Sequence, residues 1–315
     1  MPKVSICIPA YGDAEILKRA LDSIITQKYE DYEIIVTDDS PDSTVCDLIS
    51  RYIPYAKLRY FKNTIPLGSP ENWNYAVKLS RGEFIKILHH DDWFSTPTSL
   101  GEFVEMLVHH PDAGIGFSGV IIQSALSGHC RHHFATKRQV STLRLEPTCL
   151  FYGNFLGPPS ATIIRRSAFV DFDRNLVWVV DIFQYIEIIL RNGFVSTSSA
   201  LIFNEIDRPN QITRRCENNI YLNIYEYFYL YKKICINIPE HIKKAYLNHL
   251  LAMVRTYDIK SESEIRAAGC GNDIPDEIRF ALSESSFTRK YLLTRYRMVK
   301  RSKSFLNKLY SYIFT

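Results

Sequence analysis

The sequence predicts an α/β protein with a mixed, mainly parallel sheet flanked by helices. The first observation is that the initial third of the chain alternates short β-branched runs with segments whose apolar residues recur at helical spacing. Parallel neighbouring strands need a crossover connection, so this alternation is typical of βαβ units. The second observation is composition: the 315 residues are 46% hydrophobic and 23% charged, which is ordinary for a globular protein and enough to bury a core.

The first two strands and the helices after them have the clearest patterns. Val4–Ile8 is a β-branched run that ends at Pro9, which has no N–H to donate to a neighbouring strand. A helix is predicted over Asp13–Gln27, where aliphatic residues recur at helical spacing. Tyr32–Thr37 is a second apolar strand, and Ser43–Tyr52 is the helix that follows it.

The same alternation continues to residue 88. Lys57–Lys62 is the third predicted strand, Asn72–Ser80 is a helix that Gly82 ends, and Phe84–Leu88 is the fourth strand. In open α/β sheets, ligands bind beyond the carboxyl ends of the strands. The segments predicted at those ends are Pro9–Tyr11, Asp38–Ser40 and His89–Trp93.

Downstream of residue 93 the pattern is less regular. The predicted elements are a helix at Thr98–His109, a strand at Ala113–Gln123, a strand at Ala161–Arg165 after the turn Gly157–Ser160, a helix at Asp181–Arg191 and a strand at Val195–Phe203. Between them, Ser124–Pro147 is polar and basic, and we interpret it as a mobile loop over the site. Metal binding by the histidines of this segment is the alternative.

Two adjacent carboxylates, Asp38 and Asp39, end the second predicted strand. Neighbouring carboxylates repel one another, so each needs a hydrogen-bond donor or a cation. A carboxylate in this position can accept the imide N–H of uracil or a similar donor of another base. The alternative is that this segment only prepares the following helix, which Asp42 or Ser43 would cap.

The motif His89-His90-Asp91-Asp92-Trp93 follows the fourth predicted strand. Carboxylates together with water and phosphate oxygens suit Mg²⁺ or Mn²⁺, and imidazole widens the choice towards Mn²⁺. A divalent ion here would neutralise a diphosphate leaving group. The alternative is the start of a helix after the strand, with Asp92 or Ser95 as its cap.

Asp181 begins a helix after an apolar segment and is flanked by apolar residues. Such a carboxylate is partly desolvated, which raises its pKa and suits a general base towards a sugar hydroxyl. As an isolated residue, however, Asp181 is better explained as an N-terminal charge that complements the helix dipole.

Taken together, these motifs from Val4 to about Thr213, roughly two thirds of the chain, resemble the family 2 glycosyltransferases of the GT-A fold. The similarity is to members of the bacterial polysaccharide and lipopolysaccharide type. It implies a GT-A fold with a C-terminal helical extension. The residues that the resemblance places at the nucleotide-sugar are Pro9, Ala10, Tyr11, Asp38, Asp39, Gly68, Asn74, His90, Asp91 and Arg208.

The resemblance also implies a mechanism. Asp39 contacts the nucleobase, Asp91 is the best ligand for Mn²⁺ or Mg²⁺, and Asp92 is a weaker one. Asp181 falls where the family carries its catalytic base, which reverses the interpretation of that residue on its own. The implied reaction moves a sugar, with inversion, from a nucleotide-sugar donor, UDP-sugar favoured, to a saccharide or lipid-linked glycan acceptor.

The sequence departs from the family pattern at three positions. His89 stands where the first Asp of the metal motif is expected, so that role falls to His89, to His90 or to water. Gly12 replaces a more common Asn. Arg208 replaces a residue that is often His, which favours direct charge compensation of the diphosphate. A nucleotide-sugar-binding or glycan-binding protein without catalysis, on the same fold, is therefore the alternative function.

The predicted organisation is a GT-A catalytic domain at 1–216, with a nucleotide half at about 1–123 and an acceptor half at about 124–216. Residues 217–315 form a helical region with a basic tail. Residues 285–315 contain eight Lys and Arg and no acidic residue. This tail either lies on an anionic membrane surface or packs as a helix with a solvated basic face.

Net charge, cysteine spacing and the length of apolar runs limit which partners and which compartment we expect. The net charge of +4 and a basic excess confined to one end, without a recognisable motif, argue against nucleic acid as a partner. Seven scattered cysteines without CxxC spacing suggest a reducing compartment. Without an apolar run of about 18 residues, we expect a cytoplasmic protein, in one version peripheral on the inner face of the membrane.

Overall fold

The structure is a computed structural model that describes residues 1–52, 54–208, 211–217, 219–236, 238–271 and 274–283. These residues form two compact units. The first, the sheet unit, comprises Met1–Pro147 and Asn154–Gln211; the second, the helical unit, comprises Thr148–Gly153 and the described residues from Ile212 onward. The sequence-based domain limits remain predictions, and the predicted basic tail at 285–315 lies outside the described residues.

Nine strands of the sheet unit form one sheet in the order β3-β2-β1-β4-β8-β6-β9-β5, with β7 paired to β6. Their bounds are β1 Val4–Ala10, β2 Tyr32–Asp38, β3 Leu58–Lys62, β4 Phe84–Ile87, β5 Asp92–Phe94, β6 Ile115–Ser124, β7 Cys130–His133, β8 Thr162–Arg165 and β9 Phe194–Ile206.

Six described helices belong to the sheet unit and five to the helical unit. Those of the sheet unit are α1 Ala14–Ile25, α2 Thr44–Ser50, α3 Glu71–Leu79, α4 Ser99–His109, α5 Lys137–Leu145 and α6 Val180–Asn192. Those of the helical unit are α7 Ile212–Glu217, α8 Ile220–Ile234, α9 Glu240–Thr256, α10 Glu262–Ile265 and α11 Asp276–Ser283.

Strand β1 lies inside the sheet and is buried along its whole length. It pairs in parallel with β2 on one side and with β4 on the other, so both of its edges are hydrogen-bonded. Its residues are buried on both faces, and apart from Ser5 they are apolar. Helix α1 begins directly after the turn that follows β1. Its N-cap Asp13 accepts hydrogen bonds from Glu15 N at 3.1 Å and Ile16 N at 3.2 Å, which fixes where the helix starts.

The mixed sheet and the flanking helices confirm the predicted fold class. The first four strands pair in parallel, β8 lies antiparallel between β4 and β6, and β6 pairs in parallel with β9. The chain enters β8 from a short turn at Pro159–Ala161 rather than from a crossover helix. The carboxyl ends of β1, β2 and β4 therefore meet at one edge, as predicted.

The interpretation of Ser124–Pro147 as a loop was wrong. This segment contains β7, which makes a hairpin with β6, and helix α5. The helix start was present in the sequence as a capping box, in which Thr136 Oγ1 accepts from Gln139 N at 3.2 Å and Gln139 Oε1 accepts from Thr136 N at 2.8 Å. Both elements were missed because their residues are mostly polar and exposed, so neither carries a clear apolar period.

The helical unit has an aromatic core of its own. Phe151 and Tyr246 are fully buried, with ring centroids 4.7 Å apart, and the hydroxyls of Thr148 and Tyr246 are 2.6 Å apart. The richness in tyrosine and phenylalanine thus serves packing here. Among the described helices, none combines the length and apolarity needed to cross a membrane.

Candidate active site

The turn after β1 and the end of β2 lie side by side. Ala10 pairs with Asp38 across the two strands, and Asp39 N donates to Ala10 O at 3.0 Å. Gly12 N donates to Ser40 Oγ at 2.8 Å, which ties the two turns together. The structure therefore brings Pro9, Ala10 and Tyr11 next to Asp38 and Asp39. Tyr11 is 58% exposed, so its ring is available to a ligand.

Asp38 is fully buried and belongs to an internal hydrogen-bond network. Its carboxylate accepts from Ser40 N at 2.7 Å, Tyr60 Oη at 2.7 Å and Lys62 Nζ at 3.1 Å. Burial, and then the hydrogen bond to Asp38, raise the pKa of the Tyr60 phenol above its ordinary value. Asp38 thus connects the end of β2 to Tyr60 and Lys62 of β3.

Asp39 is also buried, but it faces a different partner, the loop at 63–68. Its Oδ1 accepts from Asn63 Nδ2 at 2.6 Å and Leu67 N at 3.0 Å, and its Oδ2 accepts from Gly68 N at 2.8 Å. Gly68 has φ of 73°, which favours glycine. Since each carboxylate oxygen has about two acceptor positions, Oδ1 is filled and Oδ2 can accept one further N–H.

Asn74, predicted at the nucleotide-sugar, uses both ends of its amide on one backbone residue. Its Nδ2 donates to Phe172 O and its Oδ1 accepts from Phe172 N, each at 2.9 Å. Trp73, its neighbour on α3, packs edge-on against Phe172 at 5.0 Å and lies 4.6 Å from the His89 ring. Asn74 therefore holds the segment before α6 against α3, and its contact with a ligand stays a prediction.

His89, Asp91 and Asp92 form a cluster beyond β4. Each of them offers one ligand atom, and these atoms all lie within 4.8 Å of one another. The backbone explains this arrangement: His89 N donates to Ser160 Oγ at 2.9 Å, and Asp92 N donates back to His89 O at 3.0 Å, which closes a tight turn. His90 is not a member of this cluster.

The electrostatics of the cluster suit a cation. Burial lowers the pKa of His89 to about 4, so its imidazole is neutral and keeps a lone pair. Desolvation acts to raise the pKa of Asp91, but His90, His89 and a hydrogen bond from Gln211 outweigh it and hold that pKa below its usual value. For Asp92, burial and then the charge of Asp91 raise the pKa to about 8.

Two buried atoms of the cluster have no hydrogen-bond partner in the described part of the chain: His89 Nε2 and Asp92 Oδ2. Buried polar atoms are rarely left in this state, so each needs an explanation such as a bound ion. An ionised carboxylate, a neutral imidazole and a second carboxylate are a donor set that fits Mn²⁺ or Mg²⁺. To the predicted ligands Asp91 and Asp92, the geometry adds His89, the position where the family's first Asp is expected.

Lys86 of β4, which was not singled out in the sequence, is fully buried and interacts electrostatically with Asp92 of the cluster. Its ammonium donates to Ile87 O at 3.2 Å and, in a short contact, to Ser160 O, and it lies 4.4 Å from the Phe103 ring centroid. Burial lowers the pKa of Lys86 to about 7, against the opposing effect of Asp92. Lys86 thus joins β4 to the turn that precedes β8.

Arg208 reaches the site at the end of β9, where its charge is already shared. Its Nε contacts the Glu205 carboxylate closely, Arg19 Nη1 lies 2.9 Å from the same carboxylate, and Arg208 Nη1 lies 3.9 Å from Asp13 Oδ2. Direct compensation of a diphosphate by Arg208 would have to compete with Glu205, and it stays a prediction.

Gln211 is a residue that sequence reasoning missed. Its Nε2 donates to Asp91 Oδ2 at 2.9 Å and to Glu205 O at 2.7 Å. The Asp91 carboxylate is therefore oriented by the chain just beyond β9. The only available signal was its place in the segment that begins at Arg208.

Asp181 lies in the first turn of α6 and is partly buried. Asn154 Nδ2 donates to Asp181 Oδ2 at 2.6 Å, and Ile182 N donates to Oδ1 at 2.8 Å. Asn154 begins the turn segment 154–160, whose last residue, Ser160, accepts from His89 N. One short segment therefore contacts both the predicted base and the metal cluster.

Comparison with known proteins identifies the family of this chain. The sequence model of the family described as Glycosyl transferase family 2 matches residues 5–172, more than half of the chain. The Escherichia coli protein UDP-Glc:alpha-D-GlcNAc-diphosphoundecaprenol beta-1,3-glucosyltransferase WfaP is 32% identical over 96 residues, which are 30% of this chain and 38% of that protein. The chain spans between 13% and 63% of the length of the first curated relatives that it matches.

Two solved structures align with most of this chain. S. aureus TarS 1–349 in complex with UDP-GlcNAc aligns with a TM-score of 0.66 at 17% identity, over 95% of this chain and 91% of that one. The mannosyltransferase PcManGT from Pyrobaculum calidifontis, in complex with GDP-Man and Mn²⁺, aligns with a TM-score of 0.57 at 15% identity, over 99% of this chain and 85% of that one. At such identities the likeness shows the fold, which is GT-A.

Proposed function

This chain belongs to glycosyl transferase family 2, and on that premise we propose that it moves a sugar from a nucleotide-diphosphate sugar to a hydroxyl group of a glycan or lipid-linked saccharide. One observation carries the proposal: segment 154–160 contacts Asp181 at one end and the His89-Asp91-Asp92 cluster at the other. The same segment thus contacts both a base for the acceptor and a cation site for the leaving group.

The donor binds at the ends of β1 and β2. The remaining acceptor position on Asp39 Oδ2 suits an N–H of the base, and the exposed Tyr11 ring offers an apolar face beside it. We favour a UDP-sugar, because uracil presents one imide N–H. The name of the E. coli relative includes UDP-Glc, and TarS was solved with UDP-GlcNAc, which supports the same choice.

The diphosphate lies at the cluster. Asp91 and His89, with Asp92 in support, are the residues that would hold Mn²⁺ or Mg²⁺, and such an ion supplies Lewis-acid stabilisation of a diphosphate. Gln211 keeps the Asp91 carboxylate turned towards this position. Ser160 accepts hydrogen bonds from Lys86 and from the backbone N–H of His89, which links the cluster to the turn before β8.

Asp181 acts as the general base. The acceptor hydroxyl oxygen attacks the anomeric carbon, its proton passes to the Asp181 carboxylate, and the bond from that carbon to the diphosphate oxygen breaks. A single in-line displacement inverts the configuration at the anomeric carbon. The nucleoside diphosphate leaves with the electron pair of the broken bond.

A second candidate function is nucleotide-sugar binding without catalysis on the same fold. Two observations favour it: His89 replaces the expected Asp, and the charge of Arg208 is shared with Glu205. Binding would then keep Asp39 and its loop but give no turnover.

A lipid-linked acceptor lies at a membrane surface, so we propose that the protein associates peripherally with the inner face of the membrane. The E. coli relative, whose name includes an undecaprenol-linked acceptor, supports this class of acceptor. The cytoplasmic location stays a prediction.

The two candidates are separated by turnover. The protein is incubated with UDP-, GDP- and dTDP-sugars and Mn²⁺, with and without lipid-linked and oligosaccharide acceptors, and nucleoside diphosphate release is measured. We expect release that Asp181→Asn abolishes while nucleotide binding persists. Glu187→Gln, which removes a carboxylate from the outer part of the same helix, is the control and should retain activity. Binding without release for every donor and acceptor would support the non-catalytic function instead.

A further inference from the structure

Asn154 makes four hydrogen bonds that fill its side-chain amide. Its Oδ1 accepts from Leu156 N at 2.9 Å and Gly157 N at 3.2 Å, while its Nδ2 donates to Gly157 O at 2.8 Å and Asp181 Oδ2 at 2.6 Å. An asparagine amide has two N–H donors and two acceptor lone pairs, so nothing is left over.

The direction of this amide is set by its partners. Two backbone N–H groups point at one end, and only an oxygen can accept from them. The nitrogen must therefore face Gly157 O and the Asp181 carboxylate, both of which are acceptors. A donor aimed at a carboxylate favours its ionised form.

We infer that Asn154 is the positioning residue of Asp181: its Nδ2 holds the carboxylate in one orientation and stabilises the charged form that removes a proton. The inference deepens the proposed function and rests on it for the role of Asp181. The same amide binds the turn that continues to Ser160, so one short segment contacts both the base and the metal cluster.

A turn-forming role alone would not require asparagine. The two bonds to Oδ1 form the kind of side-chain turn that aspartate makes equally well. What asparagine adds is the N–H donor towards Asp181. Asn154→Asp therefore keeps the acceptor of the turn, removes the donor, and places a second carboxylate oxygen against Asp181 Oδ2.

The test compares Asn154→Asp with the unaltered protein by NMR titration of ¹³C-labelled aspartate carboxyl groups, with Asp181→Asn assigning the resonance. Two adjacent carboxylates disfavour double ionisation, so the Asp181 pKa should rise by about one unit or more in Asn154→Asp. The acid limb of the kcat profile should move by the same amount, with the KM for the donor unchanged. Asn154→Ala, which loses donor and turn together, should lower kcat at every pH.

Asn192→Asp is the matched control, because it adds the same charge to the other end of α6, about 16 Å away along the helix axis. At ordinary ionic strength this charge is screened, and the titration of Asp181 should not move. An Asn154→Asp protein that titrates and turns over like the unaltered one would overturn the inference. A shifted titration in a protein that transfers no sugar would support the role of Asn154 and overturn the proposed function.

Discussion

Replacing Asp39 by asparagine separates the structural work of this side chain from its predicted contact with the base. In the native protein Oδ1 serves Asn63 and Leu67, and Oδ2 serves Gly68. Asparagine keeps a single acceptor, which the first two donors take. Its NH₂ group then faces the Gly68 N–H, donor against donor, and the loop at 63–68 loses its third attachment.

The magnitude follows from that one lost bond. A hydrogen bond to a charged group contributes about 1.5–3 kcal/mol, and the Gly68 end of this bond is open to water, so we expect the lower part of that range. The free energy of unfolding should fall by about 2 kcal/mol. Affinity for UDP should fall by about tenfold or more, because the acceptor offered to the base becomes a donor.

Urea denaturation measures the first effect and isothermal titration calorimetry with UDP measures the second. Asp42→Asn is the control: this exposed carboxylate lies three positions further on and bonds locally to Thr44. It should change neither quantity appreciably. If Asp39→Asn were as stable as the native protein, the loop would not depend on Asp39. If stability fell while UDP affinity stayed constant, the predicted base contact would be refuted.

Three further predictions concern the cluster and its support. Asp91→Asn should abolish the rise in melting temperature that Mn²⁺ produces. The same substitution at the exposed Asp112 should leave that rise intact. Equal rises in the two variants would contradict the assignment of Asp91 as a metal ligand. Without divalent ions, His89 should cost stability as the pH falls from about 6.5 to 4, since its folded pKa is about 4 and the unfolded chain takes up the proton first. Asp92, whose pKa is raised, acts in the opposite direction over this range, so the effect of His89 is the difference between the native protein and His89→Gln. Urea denaturation should show the native protein losing on the order of 2 kcal/mol relative to His89→Gln across that range. Ser160→Ala removes the acceptor of the His89 N–H and should weaken Mn²⁺ binding up to about tenfold while leaving the titration of Asp181 unchanged; a shift in that titration instead would contradict the placing of Ser160 on the metal side.

The part of the fold that sequence predicted best is the part with strong periodicity. Strands β1, β2 and β4 are buried and mainly β-branched or aromatic, and α1 has a clear apolar face with Asp13 as its cap. These elements determine the sheet edge where Asp39 and Asp91 lie. In contrast, β7 and α5 are mostly polar, and only Thr142 and Leu143 of α5 are buried, so neither element shows a clear apolar period. The capping box at Thr136 was nevertheless readable.

The candidate site divides in a similar way. Residues next to strand ends were predictable, because their position in the chain determines their position at the edge. Side chains that support them from distant parts of the chain were not. Asn154 bonds to Asp181, which is 27 residues away in the sequence, and Gln211 bonds to Asp91, which is 120 residues away. No local sequence pattern predicts such a pairing. The alternative in which Asp39 merely precedes a helix was incomplete, because its partners lie in the later loop at 63–68.

A crystal structure with UDP and Mn²⁺ bound would show directly whether Asp39 holds the base and the cluster holds the ion. We expect the imide N–H of uracil to donate to Asp39 Oδ2. We also expect the ion to lie between the diphosphate and the Asp91 and His89 side chains, with Asp181 across an open space that admits an acceptor. Uracil bound away from Asp39, or an ion held by the histidines of β7 instead of the cluster, would contradict these expectations.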